Sequence, residues 1–178
     1  MNTPELKELW ACTSAVHQGQ YVLRDTDATS CYVAVVEGTD HQRVVEIFLD
    51  AHQTTLTNRA VVNEYFDRFL EDLTRPKSVT LGVYIDGGVL IGFLNASPCA
   101  FDAECVSLNQ LCVAWQWQRS GVGKLLVRTL EDHCRHHFDT VFLSTDKPKY
   151  YERLAYQVVS QTYRKQWLVM VKSIADRW

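Results

Sequence analysis

A short segment in the second half of the chain, Gln118–Lys124, has the composition of a phosphate-binding loop. Gly121 and Gly123 carry no Cβ, so the main chain can approach a ligand closely at both positions. The segment follows a predicted strand and opens a predicted helix, whose first N–H groups lack partners within the helix. Those groups and the positive end of the helix dipole attract anions, and Arg119 and Lys124 add positive charge. A ligand that carries a pyrophosphate is therefore the expected occupant.

Spacing excludes two common nucleotide loops. The segment lacks the three glycines of G-x-G-x-x-G, and the chain contains no G-x-x-x-x-G-K-[ST]. Two glycines at the start of a helix can also serve packing alone, so this loop needs support from the rest of the chain.

The loop must be positioned by the elements around it. Period-two apolar runs predict strands over 31–36, 79–85, 89–94, 106–113, 140–144, 156–163 and 166–172. Helices are expected over 4–10, around the apolar stripes at 44–51 and 62–73, over 122–133 and over 148–154. Residues 19–30 are polar and rich in turn-forming residues. Asp86-Gly87-Gly88 has the composition of a tight β-hairpin.

This order predicts an α/β fold with a central mixed sheet and helices on both faces. The hairpin interrupts the repeated strand–helix alternation that a doubly wound nucleotide fold requires. We expect one domain over 31–178, preceded by an N-terminal extension over 1–30 that includes a short helix.

Composition limits the classes of function. A chain of 178 residues with a formal net charge of -3 lacks the basic excess typical of nucleic-acid binding. The six cysteines form no C-x-x-C pair and are expected to be reduced. The sequence begins with no basic and apolar leader and has no apolar run long enough to span a membrane. We therefore expect a cytoplasmic protein with no membrane or nucleic-acid partner. His133 and His137 lie one helical turn apart but lack a third ligand, so no metal is expected.

Two motifs carry a resemblance to a known family. The segment from Val113 to Gly123 resembles the V-x-x-x-x-[QR]-x-x-G-x-[GA] signature of the GNAT superfamily of acetyl-coenzyme A-dependent N-acetyltransferases. About thirty residues later, Tyr150-Tyr151-Glu152-Arg153-Leu154-Ala155-Tyr156 is similar to the family's F-Y-x-x-L-G-[FY] segment. Ala155 replaces the glycine of that segment, and Trp115 stands where proline is common. The resemblance is strongest over 106–160.

The resemblance implies a sheet splayed into a V, with the pantetheine arm of coenzyme A between strands 106–113 and 140–144. A strand without a neighbour can bind an extended amide through its main chain, as in strand addition. Leu111, Cys112 and Val113 are the candidates for those contacts. The pyrophosphate would lie on the main chain of the loop, at Gln118, Arg119, Ser120, Gly121, Val122, Gly123 and Lys124. Tyr151, at the family's tyrosine position, would protonate the departing thiolate.

The general base is not evident from the sequence. Many family members place a glutamate at the positions held here by Ser107 or Asn109, and neither side chain can act as a base. Glu104 is one candidate for the base, and Asn109 with Gln110 could instead hold a water that relays the proton. Cys112 has no neighbouring histidine that would activate it as a nucleophile.

The function expected from these residues is transfer of an acetyl group from acetyl-coenzyme A to a primary amine by direct attack. The acceptor would be a small molecule or a protein, and the enzyme a monomer or homodimer. The alternative is a regulatory module that binds coenzyme A with little or no turnover. Acidic residues on the second helix, among them Asp67, Glu71 and Asp72, could attract a cationic acceptor or simply form a solvated face.

Overall fold

The structure, a computed structural model, describes residues 21–22, 30–52, 59–162 and 167–175. Its strands are β1 (Tyr21–Val22), β2 (Ser30–Val35), β3 (Val79–Ile85), β4 (Val89–Pro98), β5 (Cys105–Val113), β6 (Thr140–Thr145), β7 (Gln157–Gln161) and β8 (Leu168–Ser173). Its α-helices are α1 (His41–His52), α2 (Arg59–Thr74), α3 (Val122–Cys134) and α4 (Pro148–Glu152).

The described strands form one mixed sheet in the order β1-β2-β3-β4-β5-β6-β8-β7. Neighbours in this sheet run antiparallel, except that β5 and β6 are parallel. Parallel neighbours need a crossover connection, and α3 provides it here. The loop that leads from β5 into α3 begins where β5 ends, at Val113, beyond the parallel pairing with β6. This arrangement confirms the predicted mixed sheet.

The β3–β4 hairpin confirms the turn expected at Asp86-Gly87-Gly88. Gly87 and Gly88 have φ angles of 83° and 75°, values that residues with a Cβ rarely adopt. The glycine pair therefore allows the chain to reverse within three residues, and Ile85 pairs directly with Val89.

Each face of the sheet has its own hydrophobic core. On one face the apolar side of α3, with Leu126, Val127 and Leu130 fully buried, packs on β3, β4, β5 and β6. On the other face, α1 and α2 pack through a stacked pair, Phe48 and Phe69, whose ring centroids are 4.0 Å apart. The two layers hold β5 in place from both faces of the sheet. The edge of β5 that faces away from β4 can therefore bind a ligand.

Several predicted boundaries needed correction. Tyr21–Val22 lies in a stretch predicted to be irregular, yet it forms a short strand that pairs with β2. Strand β4 continues to Pro98 instead of ending at Leu94, because the polar residues Asn95 and Ser97 are buried and bonded within the sheet. Helix α4 ends at Glu152, two residues before its predicted end. The helix predicted over 4–10 lies outside the described residues.

Candidate active site

The sheet opens between β5 and β6. These strands share three residue pairs, Cys105 with Thr140, Val106 with Val141 and Ser107 with Phe142, after which their registered pairing stops. Strand β5 continues for six further residues, 108–113, along its other neighbour β4. The gap between the two strands therefore widens toward the end of β5 where the loop begins.

The main chain of β5 alternates between this gap and β4. The N–H of Ala114 donates to the carbonyl of Ile91 on β4, at 2.9 Å. Alternation then directs the main-chain groups of Cys112 toward β4 and those of Leu111 and Val113 toward the gap. The Val113 carbonyl accepts a hydrogen bond from the side chain of Gln118 at 3.2 Å, as expected for a group that faces away from β4. Leu111 and Val113 thus form a main-chain edge of the kind that binds an extended amide.

The loop after β5 presents its N–H groups at the start of α3. Arg119 and Gly121 have φ angles of 67° and 101°, and this left-handed backbone curls the chain into a concave turn. The side chain of Ser120 is buried and donates to the Trp117 carbonyl at 2.6 Å, which holds the turn in place. The helix ladder begins with the N–H of Leu125, bonded to the Gly121 carbonyl at 2.9 Å. The N–H groups of residues 122–124 precede it, have no main-chain acceptor among the described residues, and can donate to a ligand.

The two glycines of the loop serve different purposes. A Cβ on Gly121 would meet no atom within 4 Å, so its backbone conformation alone requires glycine. At Gly123 a Cβ would lie 2.7 Å from the hydroxyl oxygen of Tyr150, so a packing contact requires glycine there. That hydroxyl is buried and has no hydrogen-bond partner among the described residues.

Tyr151 lies in the hydrophobic core that includes the buried side of α3. Its side chain is 7% exposed and packs edge-to-face against Tyr150 and Tyr156, with ring centroids 4.9 Å and 5.6 Å away. Burial raises the pKa of its phenol, and the nearby Tyr150 hydroxyl and Cys112 thiol raise that pKa further. Tyr151 therefore stays protonated at neutral pH, which is the form that donates a proton.

Cys112 points away from the gap, into the core formed with α1 and α2. Its thiol is fully buried, and burial raises its pKa to about 12. A thiol in that state is a poor nucleophile, because the thiolate is the reactive form.

A polar network occupies the β4–β5 face opposite α3. Strand β5 has a bulge at Asn109, since Asn95 pairs with Gln110 and Ala96 with Leu108. The Asn109 amide donates to the oxygens of Asn95 and Ser97, each at 3.0 Å, and its carbonyl accepts from Ser107 at 2.8 Å. Within the part of the chain that the structure describes, both N–H groups of that amide are therefore used, and one lone pair of its oxygen stays available.

Two acidic residues near β5, the candidate base Glu104 and the helix residue Asp72, have different surroundings. Glu104 is exposed in the β4–β5 turn, and its main-chain carbonyl accepts from Asp139 and Thr140. Asp72, on α2, is buried and bonds to Arg75 at 2.8 Å and to the Gln110 amide at 3.5 Å. Burial raises the pKa of the Asp72 carboxyl, and the Arg75 guanidinium partly opposes that increase.

Helix α2 also borders a cleft of about 430 Å³, lined by Asp67, Arg68, Glu71 and Arg75. The cleft contains two acidic and two basic side chains. The helix face expected to be acidic is therefore mixed in charge. Within the described ranges, no group of three or more His, Cys, Asp or Glu side chains could hold a metal ion. The described helices include none long and apolar enough to cross a membrane.

Sequence reasoning missed the contacts that depend on register. The pairing of Tyr150 with Gly123 and the network around Asn109 join residues that are distant in the sequence. A signal for the network was present, because Asn95, Ser97, Ser107 and Asn109 recur at every second position of two adjacent strands.

Solved structures with the same fold are numerous. The PaiA N-acetyltransferase of Thermoplasma acidophilum, crystallised in complex with coenzyme A, superposes with a TM-score of 0.66 and is 14% identical, covering 81% of this chain and 99% of its own. Aminoglycoside 6′-acetyltransferase type Ii superposes with a TM-score of 0.62 at 22% identity. The alignment covers 82% of this chain and 99% of that enzyme. The ribosomal-protein-S18-alanine N-acetyltransferase of Escherichia coli superposes with a TM-score of 0.60 at 16% identity. The alignment covers 83% of this chain and 96% of that protein.

At these low sequence identities, the superpositions establish similarity of fold alone. Among curated proteins, none matches this sequence. The sequence model of the acetyltransferase (GNAT) family matches residues 41–156, which is more than half of the chain and includes the loop, the gap and Tyr151. The chain therefore belongs to the GNAT acetyltransferase family.

Proposed function

We propose that this protein transfers the acetyl group of acetyl-coenzyme A to a primary amine by direct attack. One observation carries the proposal: along residues 108–113 the described strands pair with β5 only on its β4 side, and this strand leads directly into a loop whose N–H groups lie at the start of α3. An extended amide-bearing arm that ends in a pyrophosphate matches both features, and pantetheine joined to a pyrophosphate has that chemistry.

The residues present fit the cosubstrate. The N–H groups of residues 122–124 and the curled main chain from Gln118 to Gly121 would hold the pyrophosphate, with Arg119 and Lys124 as cations nearby. Leu111 and Val113 would bind the pantetheine amides. The Gln118 side chain donates a hydrogen bond to the Val113 carbonyl. It would move aside when an N–H group of the pantetheine arm donates to that carbonyl instead. Acetyl-coenzyme A supplies the activated acyl group.

Tyr151 is the proposed proton donor. Its raised pKa keeps the phenol protonated, and the Cys112 thiol of β5 is near enough to contribute to that increase. A donor in that position would neutralise the thiolate that departs as the new amide forms.

For the proton on the amine, we propose a relay through water held at the β5 bulge. The Asn109 oxygen retains one lone pair that can accept from a water. The side chain itself cannot take the proton, so the relay would deliver it to solvent. Glu104 is the alternative, although its side chain is exposed in the turn that precedes β5.

The proposal is tested with a library of primary amines, since the structural relatives are named for both a small-molecule and a protein acceptor. Purified chain and acetyl-coenzyme A are combined with each amine, and free thiol and acetylated product are measured together. We expect at least one amine to give equal amounts of both. Thiol release without acetylated amine would indicate hydrolysis and contradict the proposal.

One observation favours a second function, a module that binds coenzyme A without turnover. The positions that often carry a glutamate hold Ser107 and Asn109, and both side chains are engaged in the polar network. That function predicts tight binding of coenzyme A, seen by calorimetry or mass spectrometry, with no product from any amine.

A further inference from the structure

Two thiols face each other across the hairpin that joins β4 to β5. The Sγ atoms of Cys99 and Cys105 are 3.0 Å apart, and both side chains are free thiols. A disulfide bond is about 2.05 Å long, so the sulfur atoms need to approach by only about 1 Å. The sequence conceals this pair, because five residues separate the two cysteines and no C-x-x-C motif is present.

The backbone already has the geometry that a cross-strand disulfide needs. The pair Pro98 with Val106 precedes the turn, and the Cys99 N–H donates to the Cys105 carbonyl at 2.9 Å. Residues opposite each other in antiparallel strands have Cα atoms about 4.5–5.5 Å apart, within the range of about 4.4–6.8 Å found for disulfides. The bond can therefore form with little movement of the main chain.

The turn between the cysteines is held by Asp102. Its carboxylate accepts from the Glu104 N–H at 2.9 Å, and its main-chain carbonyl accepts from the Cys105 N–H at 3.3 Å. These bonds keep the two cysteines opposite each other in the reduced protein.

This pair differs from the cysteines in the core. Cys99 is partly exposed, whereas Cys105 is buried. The Cys99 thiol donates to Cys105, and this hydrogen bond lowers the pKa of the Cys105 thiol and raises that of the Cys99 thiol. Cys112 and Cys134 are buried, and burial raises the pKa of each to about 12. Oxidants react with accessible thiols that have thiolate character. In the hairpin these features belong to adjacent sulfur atoms, since Cys105 has the lowered pKa and Cys99 beside it is partly exposed, whereas Cys112 and Cys134 have neither.

We propose that Cys99 and Cys105 form a site of reversible oxidation, where a hydroperoxide converts the two thiols into one intramolecular disulfide. One sulfur attacks the O–O bond, becomes a sulfenic acid and releases water when hydrogen peroxide is the oxidant. The second sulfur then displaces the sulfenic oxygen as water, and the S–S bond forms. Two S–H bonds and one O–O bond are broken, two waters form, and a dithiol reductant reverses the change.

The site lies at the closed end of the β5–β6 pairing, because Cys105 is paired with Thr140 and the strands separate only after Ser107 and Phe142. The disulfide would close the short β4–β5 turn and fix that end of β5. It neither uses nor requires acetyl transfer, so its test is independent of the proposed function.

The test begins with the fully reduced chain and an equimolar amount of hydrogen peroxide. We expect two of the six thiols to disappear, as counted with a thiol reagent. Cleavage after Glu104 separates the two cysteines, so non-reducing mass spectrometry should find the peptides containing Cys99 and Cys105 joined. Joining of either cysteine to another partner, or oxidation to sulfinic acid without a cross-link, would overturn the proposal.

Two variants and one control sharpen the result. In Cys99→Ser and Cys105→Ser, the remaining cysteine should stop at the sulfenic acid, which a 1,3-diketone reagent traps. Cys31→Ala removes a buried cysteine outside the pair and should still lose two thiols. The oxidised wild type should melt roughly 5 °C higher than the reduced protein.

Discussion

The hydroxyl oxygen of Tyr150 lies 2.7 Å from the position that a Cβ on Gly123 would occupy. The contact joins the two motifs of the sequence, since Gly123 belongs to the loop and Tyr150 to the tyrosine segment. The next nearest ring atom of Tyr150 is 3.6 Å from that position, an ordinary contact distance. The restriction at Gly123 therefore comes from one oxygen atom.

That relationship predicts a coupled pair of substitutions. Gly123→Ala in the first turn of α3 gains up to ~1 kcal/mol in helix propensity, but in the wild type the Tyr150 hydroxyl opposes it. In Tyr150→Phe the oxygen is absent, so the same alanine should stabilise the protein. Chemical unfolding of the wild type, the two single variants and the double variant should give a coupling energy of about 1 kcal/mol. Effects that add to within about 0.3 kcal/mol would show that the contact does not restrict residue 123.

The loop conformation predicts a loss of ligand binding in Gly121→Val. A φ of 101° is strained for any residue with a Cβ, so the loop should lose the shape that exposes its N–H groups. In the wild type, acetyl-coenzyme A at a hundredfold excess over its Kd should add about 2.7 kcal/mol of stability. The matched control is Gly38→Ala, where a Cβ meets no atom within 4 Å. A folded Gly121→Val protein with the full melting shift would disprove the loop assignment.

Tyr151→Phe should affect turnover and spare binding. The substitution removes only the hydroxyl, and we expect kcat to fall by about 10²-fold while the Kd for acetyl-coenzyme A is nearly unchanged. Tyr150→Phe is the control, since it removes the neighbouring hydroxyl from the same helix. Equal kcat for Tyr151→Phe and wild type at saturating substrates would exclude Tyr151 as the donor.

A water relay predicts a particular pH profile. Without a carboxylate base, kcat/KM should rise with pH toward the pKa of the acceptor amine and show no inflection from a more acidic enzyme group. Glu104→Gln should then lower kcat by less than about tenfold, below the ~10²-fold that a general base contributes. A loss of 10²-fold or more, with the fold and cosubstrate affinity intact, would make Glu104 the base.

Asp72 predicts a pH dependence of stability. Its pKa is higher in the folded than in the unfolded chain, so the folded protein holds this proton more tightly. The resulting stability is fully present below the unfolded pKa of about 3.9 and is lost as pH rises through the folded pKa. Asp72→Asn cannot titrate, so its free energy of unfolding should improve relative to wild type as pH increases from about 3 to 7. Parallel stability curves for the two proteins would contradict this expectation.

The element order could be predicted because its signals are local. The glycine pair of the β3–β4 turn and the apolar stripe of α3 each lie within a short stretch of sequence. The loop could also be located, since strand, glycines and helix are contiguous from Val113 onward. Its chemistry follows from main-chain geometry that glycine makes accessible.

What could not be predicted depends on register. The bulge at Asn109 shifts the alternation of β5, so a period-two reading assigns the residues beyond it to the wrong face. The contact between Cys99 and Cys105 likewise depends on how the turn aligns β4 with β5. Alternating polar residues on two strands indicate that a network can form, but which residues pair is set by the packing of whole strands.

The three residue pairs that join β5 to β6 also bear on how the molecule opens. Strands β6, β8 and β7 are linked to each other by longer antiparallel pairing, so they can behave as one cooperative unit beside the rest of the sheet. Amide hydrogens in that unit should exchange with solvent through a partial opening that leaves β2–β5 folded. A ligand lying along the gap would bridge the two units, and slower exchange in β8 and β7 would then record its binding far from the atoms it touches.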